Sequence, residues 1–173
     1  MEYQRLWVLL EGNDDERFFE WVIRPIFEEM YDFVRSWQYA QKKTKEVKAF
    51  LRSIKSMDSD YFFWGDINSV PCVTEKRKRL IGRYGQILDA DNIIIIIREI
   101  ESWYLAGLDG KICNELGIHA FHKTDSITKE DFDTRIPKKF ESRIDFMIEI
   151  LKRFSVDTAK QKNKSFVYFM SRM

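Results

Sequence analysis

Residues 6–19 read LWVLLEGNDDERFF, and this stretch decides the fold. The apolar run at 6–10 predicts a buried β-strand that ends on Glu11. Gly12 permits a sharp turn, and the asparagine or aspartate that follows can cap the next helix by accepting its first N–H groups. Glu11 is therefore predicted at the carboxyl end of a strand, where ligands collect in open α/β sheets.

The same alternation of strand and helix continues to about residue 100. The predicted strands cover residues 6–10, 33–40, 61–64 and 93–97. Helical spacing of apolar residues is found between them, in residues 18–30, 47–54 and 73–84. Pro25 lacks an N–H and should kink or restart the first helix. The pattern predicts an α/β fold with a doubly wound, mainly parallel four-stranded sheet flanked by helices.

The remainder of the chain is predicted to be mainly helical. No Pro/Gly/Ser-rich linker separates it from the strands, and 173 residues suffice for one hydrophobic core. We therefore expect a single domain over residues 1–173, with an α/β core at 5–105 and a C-terminal helical extension at 106–173 packed on it.

The amino-acid composition indicates a cellular compartment but does not indicate a binding partner. Lys and Arg number 29 against 28 Asp and Glu, so net charge neither favours nor excludes nucleic acid. The two cysteines, Cys72 and Cys113, lie far apart without a CxxC motif, which favours a reducing cytoplasm. We find no basic-plus-apolar leader and no apolar run near the roughly 20 residues that span a bilayer, so we expect no membrane association.

Acidic residues follow three of the predicted strands. Glu11 follows the first strand, Asp66 the third, and Glu99 and Glu101 the fourth. If the first and third strands are neighbours, Glu11 and Asp66 lie about 5 Å apart, the distance between adjacent strands. Carboxylates at that distance raise each other's pKa unless a hard cation compensates them, which predicts Mg²⁺ or Mn²⁺ as cofactor.

A purely structural interpretation of the same acids stays open. Glu11 and Asp15 are also residue types that begin helices, and Asp66 is a common turn residue. The repeated placement at strand ends is what favours a site.

These residues carry a resemblance to a known family. Glu11-Gly12-x-x-Asp15-x-x-Phe18 resembles the first signature of the Toprim fold of topoisomerases, primases and OLD-type nucleases, in which the glutamate ends the first strand. Asp66-Ile67-Asn68 falls where that family carries Asp-x-Asp, and Arg98-Glu99-Ile100-Glu101 resembles the Glu-Ile-Glu motif of small stand-alone Toprim proteins and OLD-like nucleases. The resemblance covers residues 5–105.

The resemblance implies a role for each matching residue. Glu11, Asp66 and Glu101 would be catalytic: Glu11 as a metal ligand or general base, Asp66 as a metal ligand, and Glu101 as a further ligand that could bind a second ion. Asn68 would be a further ligand in place of the family's second aspartate. The residues in supporting roles would be Asp15, Asn68, Arg98 and Glu99. A neutral amide holds Mg²⁺ less strongly than a carboxylate, which bears on whether one or two ions bind.

Basic residues after the third strand are candidates for binding a nucleic acid. Lys76, Arg79 and Arg83 lie on one flank of the predicted helix and could contact backbone phosphates, although a solvated helix face has the same pattern. The sequence has no P-loop, so ATPase activity would come from another chain, such as a separately encoded ABC-type ATPase. The chain could also pair with a second copy of itself to form a homodimer.

We expect a Mg²⁺- or Mn²⁺-dependent OLD-like nuclease that acts on DNA or RNA. The alternative is a Toprim-derived module that binds nucleic acid or a nucleotide, or joins an ATPase as a partner subunit, without hydrolysis. A third alternative is a phosphoacceptor signalling domain with Asp66 as acceptor, although the expected fifth strand ending in Lys is missing from the sequence pattern.

Overall fold

The computed structural model describes residues 3–173. In this range the chain forms a four-stranded, all-parallel sheet flanked by helices, which confirms the predicted α/β class. The strands are β1 (Arg5–Leu10), β2 (Phe33–Gln38), β3 (Asp60–Asp66) and β4 (Ile93–Ile96). Their order across the sheet is β2-β1-β3-β4, so β1 and β3 are neighbours.

The helices after β1 cover one face of the sheet. They are α1 (Asn13–Phe18), a π-helical turn (Phe19–Ile23) and α2 (Arg24–Phe27). Pro25 lies in the first turn of α2, where its missing N–H does no harm, so the predicted restart of the helix at this proline is confirmed. The rings of Phe19 and Trp64 lie 6.2 Å apart and those of Phe27 and Phe62 5.8 Å apart, which packs this layer on β3.

The opposite face of the sheet is covered by α3 (Thr44–Ser56) and α4 (Val73–Tyr84). Both helices contribute to one buried cluster with the strands, which includes Val47, Leu51, Ile54, Phe63, Leu80, Tyr84 and Ile93. Right-handed crossovers explain the two layers, because the chain moves one way from β1 to β2 and the other way from β2 to β3 and β4. Exposed Cys72 is the N-cap residue of α4.

The strands differ in burial according to their place in the sheet. All four isoleucines of β4 are buried, and a short 3-10 turn, Ala90–Asn92, leads into that strand. At the sheet edge, β2 is only partly buried, as its polar residues predict.

The chain divides into two compact units, the first ending at Ile95 and the second being Ile96–Met173. Residues 96–105 thus group with the helical unit, and the single-domain organisation stays a prediction. The helices of the second unit are α5 (Glu101–Ala106), α6 (Gly110–Leu116), α7 (Lys129–Asp133), α8 (Arg143–Leu151), α9 (Val156–Lys162) and α10 (Lys164–Met170). Aromatic side chains, among them Trp103 and Phe166, fill its core.

None of the helices within residues 3–173 combines the length and the apolar character that crossing a lipid bilayer requires.

Candidate functional site

Glu11 and Asp66 meet at the carboxyl ends of two adjacent strands. Leu9 of β1 pairs with Phe63 of β3, which brings the residues after them to the same edge of the sheet. The Glu11 Oε1 atom accepts a hydrogen bond from the Asp66 backbone N–H at 3.1 Å. Glu11 is half-buried and Asp66 is buried, so the contact joins the Glu11 carboxylate to the backbone of Asp66 at this edge of the sheet.

Between β1 and β3, the direction in which the chain moves from strand to strand across the sheet reverses. The connection from β1 leads to helices on one face, whereas the connection from β3 leads to α4 on the other face. In open α/β sheets, ligands bind beyond the carboxyl ends of the strands at a reversal of this kind.

Tyr39, which follows β2, fixes this corner from a third strand. Its hydroxyl donates to the Trp64 carbonyl oxygen at 2.6 Å and lies 3.3 Å from Glu11 Oε1. Burial raises the pKa of Tyr39 well above its usual value, and the charges of Glu11, Asp15 and Asp66 raise it further. The hydroxyl thus keeps its proton at neutral pH, and the three acids are close enough for their charges to act on it.

Gly65 leaves space beside the Glu11 carboxylate. A Cβ added at Gly65 would lie 3.3 Å from Leu80 Cδ1, which is tight, and 3.7 Å from Glu11 Oε1, which is ordinary contact. The absence of a side chain at Gly65 thus lets Leu80 pack beside the strand next to Glu11. Sequence reasoning missed Gly65 and Tyr39 as parts of this corner. A glycine inside a strand was a usable signal, because it often marks close approach of another group; Tyr39 had no such signal.

Asp15 supports the first turn of α1. The N-cap residue is Gly12, not the asparagine or aspartate that the sequence suggested, and its N–H donates to Asp15 Oδ2 at 3.2 Å. Asp15 is buried, so its carboxylate holds the start of the helix beside Glu11. Asp15 therefore stabilises the start of α1, as the purely structural interpretation of this acid predicts.

Asn68 lies in the exposed turn after β3. Its backbone is left-handed, with a φ of 50°, a conformation that asparagine tolerates better than most residues. Its side-chain amide donates to the Asp66 carbonyl oxygen at 3.4 Å. The contact places Asn68 beside Asp66 and gives it a role in shaping the turn.

The remaining predicted acids belong to the second unit and have partners there. Glu99 Oε2 accepts from the Lys129 N–H at 2.5 Å and so caps α7. Buried Glu101 forms an ion pair with Arg143, which also donates to Asp133 at 2.6 Å. Arg98 is exposed and has a left-handed backbone, with a φ of 65°.

The predicted basic residues lie on one flank of α4. Arg79 pairs with Glu75 at 3.0 Å, and the Arg83 guanidinium lies 5.2 Å from the centre of the Tyr84 ring. Lys76 is half-buried one turn before Arg79.

Glu11 and Asp66 are the two residues at this corner whose carboxylates could hold a magnesium ion. Within residues 3–173, no group of three or more His, Cys, Asp or Glu side chains could hold a metal ion. Mg²⁺ commonly binds through one or two carboxylates, with water and substrate phosphates completing its shell. Glu11 Oε1 accepts the hydrogen bond, and a carboxylate has a second oxygen that can coordinate.

Comparisons of the chain with protein-family models, with curated proteins and with solved structures find no match.

Proposed function

We propose that this chain is a Mg²⁺- or Mn²⁺-dependent phosphodiester-acting protein of the Toprim type, an OLD-like nuclease that cuts DNA or RNA. The observation that supports it is the contact between Glu11 and the Asp66 N–H at the carboxyl ends of β1 and β3. The free thiols of Cys72 and Cys113 support the reducing cytoplasm as its compartment.

In this proposal Glu11 and Asp66 hold the cation. The bound ion would stabilise negative charge on the phosphoryl oxygens of the substrate. The Asp66 N–H orients Glu11, while Tyr39, which follows β2, reaches across β1 and binds the Trp64 carbonyl of β3. Such fixed ligands need little rearrangement when the charged substrate arrives. Lys76, Arg79 and Arg83 would contact backbone phosphates.

The test is cleavage of labelled DNA and RNA by the purified chain with MgCl₂ or MnCl₂. We expect Glu11→Gln and Asp66→Asn each to lower the rate by roughly a hundredfold or more, because even outer-shell changes at metal sites cost 10–100-fold. Glu29→Gln is the matched control, since Glu29 is an exposed acid of the same unit.

A second measurement separates metal binding from catalysis. Mn²⁺ should raise the thermal unfolding midpoint of the wild type and of Glu29→Gln, but not that of Glu11→Gln. Urea unfolding without metal checks that each variant is folded. The proposal is rejected if no substrate is cut, or if Glu11→Gln and Asp66→Asn cut as fast as Glu29→Gln.

A second candidate function is binding without hydrolysis, either of nucleic acid or nucleotide or as a partner subunit of an ATPase. The ion pair of Glu101 with Arg143 favours it, because a carboxylate held by a guanidinium is a poor ligand for a second ion. The neutral side chain of Asn68 also favours binding without hydrolysis, because an amide holds Mg²⁺ less strongly than a carboxylate does. Oligonucleotide binding in EDTA that survives Glu11→Gln, with no cleavage in Mn²⁺, would support this function over the first.

A further inference from the structure

Helices α3 and α4 concentrate positive charge in a nearly neutral chain. Thr44–Ser56 contains four basic residues and one acidic residue, and Val73–Tyr84 contains five and one. The two helices together thus carry a net charge of +7, whereas the whole chain carries +1. The rest of the molecule is therefore net acidic, and the positive field is local to this pair of helices.

The basic flank of α4 faces α3. On the other flank, the Arg77 guanidinium donates to the Ile93 carbonyl oxygen at 3.3 Å, which turns that flank toward β4. Lys76, Arg79 and Arg83 are spaced i, i+3, i+7 and lie on the side of α4 away from Arg77. Since β4 is the edge strand, this side points toward the middle of the sheet.

The basic flank of α3 faces α4 in the same way. Phe50 stacks on Trp37 at 4.2 Å and meets Trp7 edge-on at 5.1 Å, which turns its flank toward β2 and β1. Lys45, Lys48 and Arg52 repeat the i, i+3, i+7 spacing on the side of α3 away from Phe50.

The two basic rows meet across a groove between the helices. The Lys48 ammonium lies 3.9 Å from the position of a Cβ at Gly85, two residues after Arg83. Lys55, lower on α3, pairs with Asp89 at 3.1 Å. Among residues 3–173, the ion pairs on these flanks are Lys55–Asp89 and Arg79–Glu75, and the remaining lysines and arginines of the two rows have no carboxylate within ion-pair distance.

An aromatic pair connects this groove to the acidic corner. The Arg83 guanidinium lies over the Tyr84 ring, whose centre is 6.2 Å from that of Tyr39. The charge of Glu11 contributes to the raised pKa of Tyr84, behind the larger effect of burial and against the lowering effect of Arg83. Two tyrosine rings, those of Tyr84 and Tyr39, therefore connect Arg83 to Glu11.

We propose that this α3–α4 groove, lined by Lys45, Lys48, Arg52, Lys76, Arg79 and Arg83, binds the phosphate backbone of a nucleic acid strand. Like charges that face each other across a groove repel, and a polyanion laid between them removes that repulsion. The proposal deepens the proposed function, on which it rests for the chemistry, by naming the surface that holds the substrate beside Glu11 and Asp66.

The groove favours a nucleic acid over an anionic membrane. Helices that lie on membranes insert an apolar face beneath the headgroups. The apolar faces of α3 and α4 are buried in the core, with Leu51 and Ile54 on one helix and Leu80 and Tyr84 on the other. What remains at the surface is two rows of exposed or half-buried cations on the facing flanks of the two helices.

The experiment measures binding of fluorescein-labelled single-stranded DNA, single-stranded RNA and duplex DNA by fluorescence anisotropy in EDTA, so that neither metal nor cleavage contributes. The double variant Lys48→Gln/Arg83→Gln is compared with Lys111→Gln/Lys160→Gln, which removes the same charge from exposed positions on α6 and α9. Urea unfolding checks that both are folded.

We expect the groove variant to bind at least one of the three probes about tenfold more weakly, and to lower the slope of log affinity against log salt by about two, since each lost phosphate contact removes roughly one. The control variant should bind like the wild type. Equal affinity of wild type and groove variant, equal losses in both variants, or absence of binding by the wild type would overturn the proposal.

Two further measurements test whether the partner is a nucleic acid or a membrane, and whether the proposed hydrolysis and the proposed groove stand independently. Phosphatidylserine vesicles that bind the wild type as tightly as the oligonucleotides at the same salt concentration would overturn the choice of nucleic acid. Groove-dependent binding by a wild type that cuts nothing in Mn²⁺ would reject the proposed hydrolysis and keep the groove. Cleavage that persists unchanged in the groove variant would reject the groove and keep the hydrolysis.

Discussion

The hydroxyl of Tyr39 has one hydrogen and two oxygen neighbours. It lies closer to the Trp64 carbonyl, at 2.6 Å, than to Glu11 Oε1, at 3.3 Å, so the carbonyl receives the hydrogen. Trp64 and Tyr39 are both buried, and water cannot replace the bond if the hydroxyl is removed. A single atom thus ties the end of β2 to the end of β3 beside Glu11.

We predict that Tyr39→Phe lowers the free energy of unfolding by about 1–3 kcal/mol, because it leaves the buried Trp64 carbonyl without its donor. Tyr31→Phe is the matched control, since Tyr31 donates to Asp60 at 2.9 Å at an exposed position and its loss should cost less. Urea unfolding measures both. A Tyr31→Phe variant as destabilised as Tyr39→Phe would contradict the prediction.

Sequence alone located the acids of this corner but not what holds them. Glu11 and Asp66 follow apolar runs, and the parallel alternation of strands was enough to predict that such ends share an edge. Tyr39 contacts Glu11 and Trp64, which are 28 and 25 residues away in the sequence. Local sequence patterns do not predict contacts between residues so far apart.

At the scale of elements, the ion pair between α5 and α8 holds the second unit together. Glu101 begins α5 and is 3% exposed, and Arg143 begins α8 and also lies 5.3 Å from the Phe132 ring centre. Loss of one partner of a buried pair leaves a charge without compensation, which costs far more than loss of an exposed pair.

We therefore predict that Glu101→Gln lowers the free energy of unfolding by about 2 kcal/mol or more. Asp133→Asn removes the exposed partner of the same arginine and should cost about 1 kcal/mol or less. Urea unfolding in EDTA and again in Mn²⁺ should give the same ranking, since the contact is made without metal. Equal stability of the two variants would show that Glu101 is not a structural anchor.

Elements with a continuous apolar run or a clear helical period were predictable, and elements with neither were not. Five consecutive isoleucines and the amphipathic spacing of α3 and α4 each extend over enough residues to show their period. In contrast, α7 and α9 contain too few residues for a periodic signal. The Thr128–Asp131 capping box that begins α7 was a usable signal, because Thr followed three residues later by an acid marks helix starts.

At the scale of the whole molecule, a net charge of +1 conceals a separation of charge. The sequence total could not show it, because which cations face one another depends on how two helices lie on the sheet. Once α3 and α4 are placed on the same face, their basic flanks converge in the α3–α4 groove. The field at that groove opposes folding at low ionic strength, where screening is weak.

We predict that Lys48→Gln/Arg83→Gln raises the thermal unfolding midpoint by about 1 °C in 10 mM salt, as a few tenths of a kcal/mol of repulsion are removed. The difference should vanish near 0.5 M salt, where the Debye length is about 4 Å. Differential scanning calorimetry at both salt concentrations measures it. Lys111→Gln/Lys160→Gln should show no such salt-dependent gain, and an equal gain there would contradict a local field.

Cys72 begins α4 and is exposed, whereas Cys113 is buried. A maleimide dye should therefore attach to the native chain at a single thiol, about one helical turn from Lys76. An environment-sensitive fluorophore or a nitroxide at that attachment point would report on the entrance of the helix without any engineered cysteine. A label on Cys72 of the unmodified protein could thus report the binding of a nucleic acid strand at the α3–α4 groove.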